Sequence, residues 1–402
     1  MDEPRTAEPS AAWGTAQKGF VDAWNASHPN IQVTHTDAGG GTDSSAKLLT
    51  AARAGEAPDV ALVEYQTLPS LIVGDVATDI TQYVGDETRG AFSDSTWGLT
   101  TFNDAIYGVP QDVGPMALIY NQARFAELGI TVPTIWAEFA TAAEQVRKAD
   151  PSTYIAAFSP EEFGFFAGMS QQAGAKWWEV DGETWTVGID GEASRSVAAY
   201  WQDLVDRDLV RVEPLLTPEY NTALNAGQIL SWPSALWAPG VIYGVAPEQA
   251  GKWAMAPLPQ WTPGDKAVAY QGGSGVVVTT SAEHPQEATE FAAWINSSQE
   301  GADVQLSTGQ YPASTLGQQA AVASPPPVLM PQQTDFWKVA SQIAADTIPS
   351  ITWGPNVNVA SSAFQDAMGK AALAGTPLAD ALTETQHVVV DDMTTTGFQV
   401  AD

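Results

Sequence analysis

The stretch that decides the fold opens His28-Pro29-Asn30-Ile31-Gln32-Val33-Thr34-His35. It continues through Gly39-Gly40-Gly41-Thr42-Asp43-Ser44-Ser45 and closes on Pro58-Asp59-Val60-Ala61-Leu62-Val63. Pro29 has no amide hydrogen and restricts the residue before it, so it stops a preceding helix. Residues 31–35 alternate apolar and polar, which predicts a strand. The Gly-rich polar loop then leads into a helix over 46–54, with Asp43, Ser44 or Ser45 placed to cap it. Gly55 ends that helix, and residues 60–63 read as a buried strand. Strand–helix–strand predicts a parallel βαβ pair with a right-handed crossover. Ligands in such sheets sit beyond the carboxyl ends of the strands, which puts residues 39–45 and Glu64-Tyr65-Gln66 on one rim.

Outward from there, Trp13, Ala16, Gln17, Phe20 and Trp24 step at helical spacing and should bury one face. The polar, Pro-containing start ahead of Trp13 reads as a short leader with no apolar signal core. It fits a cytosolic protein with a frayed start and equally a secreted one whose leader was exchanged for Met. A second unit begins near Tyr120. Thr134 caps a helix over 135–149, residues 154–158 form a strand, and 161–173 return to helix. Residues 177–187 read as a hairpin turned by Asp181-Gly182. Helices follow at 193–205 and 220–226, then a strand at 228–232, a loop at 233–240, a strand at 252–256 and a Pro-rich run to 263. A strand at 275–280, a helix at 285–296, the breaker Pro325-Pro326-Pro327 and three closing helices at 335–346, 359–374 and 377–389 complete the chain. No period of repeat-protein length recurs.

The 402 residues carry 16 Lys+Arg against 47 Asp+Glu, a formal charge of −31, with 44% hydrophobic and 9% aromatic residues. This is a folded globular composition spread over two or three domain-sized units. Scattered basic residues exclude a nucleic-acid partner, which needs clustered Lys/Arg, and an anionic membrane surface would repel the chain. There is no Cys, so no disulfide, thiolate metal site or Cys nucleophile exists. No apolar run is long enough to span a bilayer.

Catalytic signatures are weak. The Gly-rich loop lacks the Gly-Lys-Ser/Thr of a P-loop and the spaced glycines of a dinucleotide fingerprint. Ser44-Ser45-Ala46-Lys47 matches S-x-x-K, but its companion motifs are missing. His28, His35, His284 and His387 show no metal-binding spacing. Glu64, Asp112, Glu161, Glu162 and Glu179 are carboxylates that a glycoside hydrolase could pair. Of 15 Trp, Trp13, Trp24, Trp136, Trp201 and Trp294 sit at core spacing. Trp237 lies among Ala, Pro and Gly, and Trp178 and Trp353 are flanked by turn residues. Aromatic faces beside carboxylates suit sugars, whose C–H faces are apolar and whose rims are hydroxyls.

Four segments together resemble the family 1 extracellular solute-binding proteins of carbohydrate ABC importers. The first runs from Phe20-Val21-Asp22-Ala23-Trp24 through Pro58-Asp59-Val60. The second is Tyr107-Gly108-Val109-Pro110-Gln111-Asp112 with Ala117-Leu118-Ile119-Tyr120-Asn121, Leu128-Gly129-Ile130 and Pro133-Thr134-Ile135-Trp136. The third is Gly227-Gln228-Ile229-Leu230 with Trp237-Ala238-Pro239-Gly240. The fourth is Pro257-Leu258-Pro259, Gly272-Gly273-Ser274-Gly275 and the helix from His284-Pro285 to Ile295-Asn296. Each piece is short; their order and spacing make the set specific.

The resemblance implies an α/β, two-lobed periplasmic-binding-protein-like fold, with a hinge of crossing strands and a ligand cleft between the lobes. It implies an N-terminal lobe of residues 1–114 and 266–311 and a C-terminal lobe of 115–265 and 312–402. Strands at 109–110 and 116–120, and a second passage at 256–263, would connect them. It implies no catalysis and no cofactor. Its ligand positions fall on Glu64, Tyr65, Asp112, Trp237, Gly272 and Gly273, with Gly41, Ser44, Trp178, Tyr311 and Trp353 in regions that vary within the family. Asp112 and Glu64 would accept from hydroxyls while the aromatics stack. The implied partners are a sugar ligand and the transmembrane subunits of an ABC permease, for an extracellular monomer, tethered as a lipoprotein or periplasmic. The shortage of Lys and Arg favours a neutral mono- or oligosaccharide over an acidic one. The competing expectation is a carbohydrate-active enzyme using the same carboxylates.

Overall fold

The structure, a computed structural model, describes residues 9–37, 41–348 and 352–401. Its strands among these residues are β1 (Val60–Glu64), β2 (Thr101–Phe102), β3 (Ala105–Ile106), β4 (Val109–Asn121), β5 (Tyr154–Phe158), β6 (Trp178–Asp181), β7 (Thr184–Val187), β8 (Arg211–Val212), β9 (Ile229–Ala235), β10 (Trp253–Pro257), β11 (Tyr270–Val278) and β12 (Gln399–Val400). The chain divides into two compact units. The first holds the described residues up to Gly114 with Pro239–Pro247 and Gly272–Ser341. The second holds Pro115–Ala238, Glu248–Gln271 and the described residues from Gln342 on. The sequence division therefore shifts: residues 266–271 belong with the second unit, and 239–247 and 312–341 with the first.

In the first unit β1 runs antiparallel to β11, with Val60 opposite Val278 and Glu64 opposite Ser274. The expected parallel βαβ pair is not there, because residues 31–37 form no strand. Their backbone is taken up by the helix Pro9–Ser27 instead. The Asn25 amide accepts from the Val33 N–H and donates to the Val33 carbonyl, both at 2.8 Å, and Trp24 Nε1 donates to the Ile31 carbonyl at 2.8 Å. Side chains that satisfy backbone groups this way leave the segment no need of a ladder. Phe20 and Trp24 are buried as the helical spacing requires. The next helix, Gly41–Ala54, begins five residues before the expected 46, so Ser44 and Ser45 lie inside its first turn and do not cap it. Leu48, Val63, Leu68, Leu71, Val76 and Val277 close a core beneath it.

The second unit is built on β4, a strand in which every residue but Tyr120 is buried. β10 and β9 flank it antiparallel, Met255 and Trp232 both opposite Ile119, and β5 and β8 continue the sheet in parallel. β9 runs through Pro233 to Ala235, and a helix starts at Ala238, so the expected 233–240 loop shrinks to Leu236 and Trp237. The ladder of five residues to β4 holds Pro233 in line opposite Leu118 despite its missing donor. The helix Trp136–Ala149 starts without a Thr134 cap. Thr134 gives its N–H and Oγ to Glu138 Oε2 at 2.8 and 2.9 Å instead. β6 and β7 make the expected hairpin, with Asp181 opposite Thr184.

Aromatics dominate this core. Trp201 stacks on Phe158 at 5.0 Å, Trp136 donates to Gln172 at 3.0 Å, and Trp177 donates to Ser194 at 2.9 Å. The chain passes between units within β4, at Gly114–Pro115, and within β11, at Gln271–Gly272. Residues 256–263 stay inside the second unit, so the second crossing strand is β11, which starts five residues earlier than expected. No described helix is long and apolar enough to cross a membrane.

Candidate functional site

In the first unit three neighbouring strands bring two carboxylates together. β1 ends at Glu64, which the β1–β11 register places opposite Ser274, and Ser274 reaches Asp112 on β4. Residues opposite one another in a ladder project from the same face, so Glu64 and Ser274 share a face. Asp112 is 3% exposed. Its Oδ1 accepts the Ser274 N–H at 2.9 Å and also the Ser274 hydroxyl. Glu64 accepts from Gln66 Nε2 at 2.7 Å, across the tight turn Tyr65–Thr67. Tyr65 donates its hydroxyl to the Asp112 carbonyl at 2.9 Å. Its ring lies against Gly273, where a Cβ would stand 3.0 Å from Tyr65 Cε2 and 3.0 Å from the Gly114 nitrogen.

Burial pushes Asp112 up to about 6, against the two Ser274 hydrogen bonds that lower it. Burial also raises Glu64, with the Gln66 hydrogen bond working the other way and the nearby Asp112 charge raising it further. No Lys, Arg or His bonds to either carboxylate among the described residues. Two desolvated like charges favour keeping a proton on one of the pair. The cluster can therefore offer both an acceptor and a donor to a polar ligand.

Gly41 opens the helix Gly41–Ala54 and Ser44 sits half-buried in its first turn; Gly39 and Gly40 lie outside the described residues. Ser45 Oγ donates to Thr67 Oγ1 at 3.2 Å, so this turn meets the Tyr65–Thr67 turn as the rim argument requires, without a parallel sheet. Gly272 and Gly273 lie inside β11 at φ of 72° and 85°, values that disfavour any side chain.

In the second unit Trp237 is half-buried after β9, its Nε1 donating to the Gln271 carbonyl at 3.0 Å and its ring edge-on to Trp232 at 5.7 Å. Two of the expected stacking residues are packing residues. Trp178 is 1% exposed and wedged against Gly354, where a Cβ would meet its indole at 2.2 Å, so it has no free face. Tyr311 is 2% exposed and stacked on Trp337 at 6.4 Å. Only its carbonyl serves the site region, accepting the Val113 N–H at 3.1 Å. Trp353 is half-buried, 6.1 Å from Trp178 and 6.2 Å from Phe163. Glu161 and Glu179 belong to the second unit, and Glu64 to the first. Among the described residues no three His, Asp or Glu groups gather as a metal site.

Ser274, Gln66 and Gln271 hold Asp112, Glu64 and Trp237 in place. Gln66 lies on the expected rim and Ser274 inside a segment that carries the resemblance, but neither has a role in the sequence reading, and Gln271 directly precedes such a segment.

Two α/β units are thus joined through β4 and β11. The chain belongs to the bacterial extracellular solute-binding protein family, whose model matches residues 10–302. It is 25% identical to the ABC transporter associated binding protein of B. animalis subsp. lactis, solved with beta-1,6-galactobiose. That match has a TM-score of 0.89 and covers 97% of this chain and 98% of that one. It is 28% identical to the galacto-N-biose-/lacto-N-biose I-binding protein of Bifidobacterium longum, solved with lacto-N-biose, at a TM-score of 0.85 over 95% and 94% of the two chains. The arabinooligosaccharide-binding protein of Halalkalibacterium halodurans is 26% identical over 260 residues, 63% of this chain. That alignment spans 57% of the relative's own length, less than two thirds.

Proposed function

We propose that this protein is an extracellular receptor that binds a neutral mono- or oligosaccharide and delivers it to an ABC import permease without altering it. The observation that carries this reading is the pair of carboxylates on half-buried Glu64 and buried Asp112, to which no Lys, Arg or His bonds among the described residues. Sugar hydroxyls satisfy such a pair without bringing charge, whereas a phosphorylated or acidic sugar would bring a further negative charge against it. The half-buried Trp237 supplies an apolar face of the kind a pyranose covers. Family membership and the sugar ligands of the two similar structures support the same ligand class.

Ligand contact is assigned to Glu64, Tyr65, Asp112, Trp237 and the Gly272-Gly273 backbone. Ser44, Gly41 and Trp353, in regions that vary within the family, are further contributors. Ligand binding bends the crossing strands β4 and β11 and closes the protein on the sugar. The working form is a monomer, held at the cell surface by a lipid anchor or free in the periplasm. Titration calorimetry with beta-1,6-galactobiose, lacto-N-biose and an arabinooligosaccharide tests the reading. Saturable one-to-one heat with at least one of them is the expected result. Flat titrations with all three, or binding of an acidic sugar in their place, would overturn it.

A further inference from the structure

Glu64, Ser274 and Asp112 come from three adjacent strands, with Ser274 in the middle. The two carboxylates are not held alike. Asp112 Oδ1 receives two donors from one residue, the backbone N–H and the hydroxyl of Ser274. Glu64 receives a single neutral amide from Gln66, on Oε2. Each donor aimed at a carboxylate favours its ionised form, and two favour it more than one. Glu64 also lies beside the Asp112 charge.

We propose that Ser274 is a positioning residue that sets the polarity of this pair, fixing Asp112 as the ionised acceptor and leaving the shared proton on Glu64 as the donor. This rests on the assignment of both carboxylates as ligand contacts, and it goes further by stating which group gives and which receives. A sugar bound there directs a hydroxyl hydrogen at Asp112 and offers a ring, linkage or hydroxyl oxygen to Glu64. The ionisable groups facing the pair are few. β1 and its following turn bring Glu64 and Tyr65, and β4 brings Asp112. Residues 272–278 of β11 bring none, and the Tyr311 phenol is stacked on Trp337. The polarity is therefore set inside the trio and holds only while one proton is shared. Affinity should fall when Asp112 gains a proton in acid and again when Glu64 loses its own in base.

Carbon-13 carboxyl NMR on the sugar-free protein tests this directly, with Asp112→Asn and Glu64→Gln assigning the two resonances. In the parent, Asp112 should ionise at lower pH than Glu64. Ser274→Ala should move the Asp112 titration up by about one pH unit or more, the loss of one donor to a charged group. Ser274→Thr, which keeps the hydroxyl, should restore it. A purely structural role would move thermal stability and leave the order of ionisation alone. An Asp112 titration unmoved in Ser274→Ala, or Glu64 ionising first in the parent, would overturn the proposal. The parent measurement decides even if Ser274→Ala fails to fold. Repeating the titration with beta-1,6-galactobiose separates the two claims. The expected order without any sugar response would contradict the sugar reading and leave the role of Ser274 supported.

Discussion

Trp237 donates its indole N–H to the Gln271 carbonyl at 3.0 Å, one residue before the chain leaves the second unit along β11. The bond fixes the plane of the indole relative to the strand that crosses between units, and Gln271 is itself held by Ser234 Oγ at 3.2 Å. Trp237→Ala should lower sugar affinity by about tenfold or more, through lost stacking area, while leaving the circular dichroism unchanged. Trp237→Phe keeps a ring and loses the bond, so it should fall between. Calorimetry on the three proteins checks the order, and equal affinity of Trp237→Ala and parent would remove this residue from the site.

Trp178 should behave in the opposite way. It packs against Gly354, Trp353 and Trp177 inside the second unit. Trp178→Ala should cost about 3–5 kcal/mol of stability by opening a cavity. Any change in affinity should track that loss and be absent for Trp178→Phe, whose ring refills most of the space. Denaturant unfolding with parallel calorimetry separates the two effects.

Gly273 has a left-handed φ of 85° and the Tyr65 ring where a Cβ would go. Gly273→Ala should destabilise by about 1–3 kcal/mol through strain and contact together. Gly129 also has a left-handed φ, of 64°, but open space around it, so Gly129→Ala should cost less. Equal losses in thermal unfolding would mean that the Tyr65 contact yields without cost.

Asp112 makes a signed prediction about pH. Its native value is pushed up from 3.8 to about 6, so between those values the folded protein binds more protons than the unfolded chain. Its contribution to stability is full below that window and lost as pH rises through it. Asp112→Asn can still accept from Ser274 and carries no charge. The midpoint difference between variant and parent should grow in the variant's favour from pH 4 to pH 7. Parallel profiles in differential scanning calorimetry would contradict the assignment.

Much of the fold was legible because it rests on periodicity and breakers. The helix ending at Ser27 before Pro29, the strand Tyr154–Phe158 and the hairpin at Asp181-Gly182 all follow from local pattern. Residues 31–37 were misread because Asn25 and Trp24 satisfy their backbone from a neighbouring helix, a contact that alternation cannot report. β11 begins at Tyr270, before the expected 275, and includes Gly272 and Gly273 at positive φ, ahead of its pairing with β1 from Ser274 on. Within the site, Glu64, Asp112 and Trp237 were named from family motifs. Their supports Ser274 and Gln271 depend on register and tertiary bonds that no single sequence displays, while Gln66 reaches Glu64 locally across the turn. For Trp178 flanking turn residues were taken as a sign of exposure, and Tyr311 was taken from the family resemblance, while their rings lie against Gly354 and Trp337.

The central claim is binding without turnover. Tryptophan fluorescence followed during titration with beta-1,6-galactobiose and lacto-N-biose, with chromatography of the same samples, tests it in one measurement. The expected result is a saturable fluorescence change, abolished or weakened in Trp237→Ala, and sugar recovered intact. Fluorescence that never responds, or hydrolysis product in excess of the protein present, would contradict it.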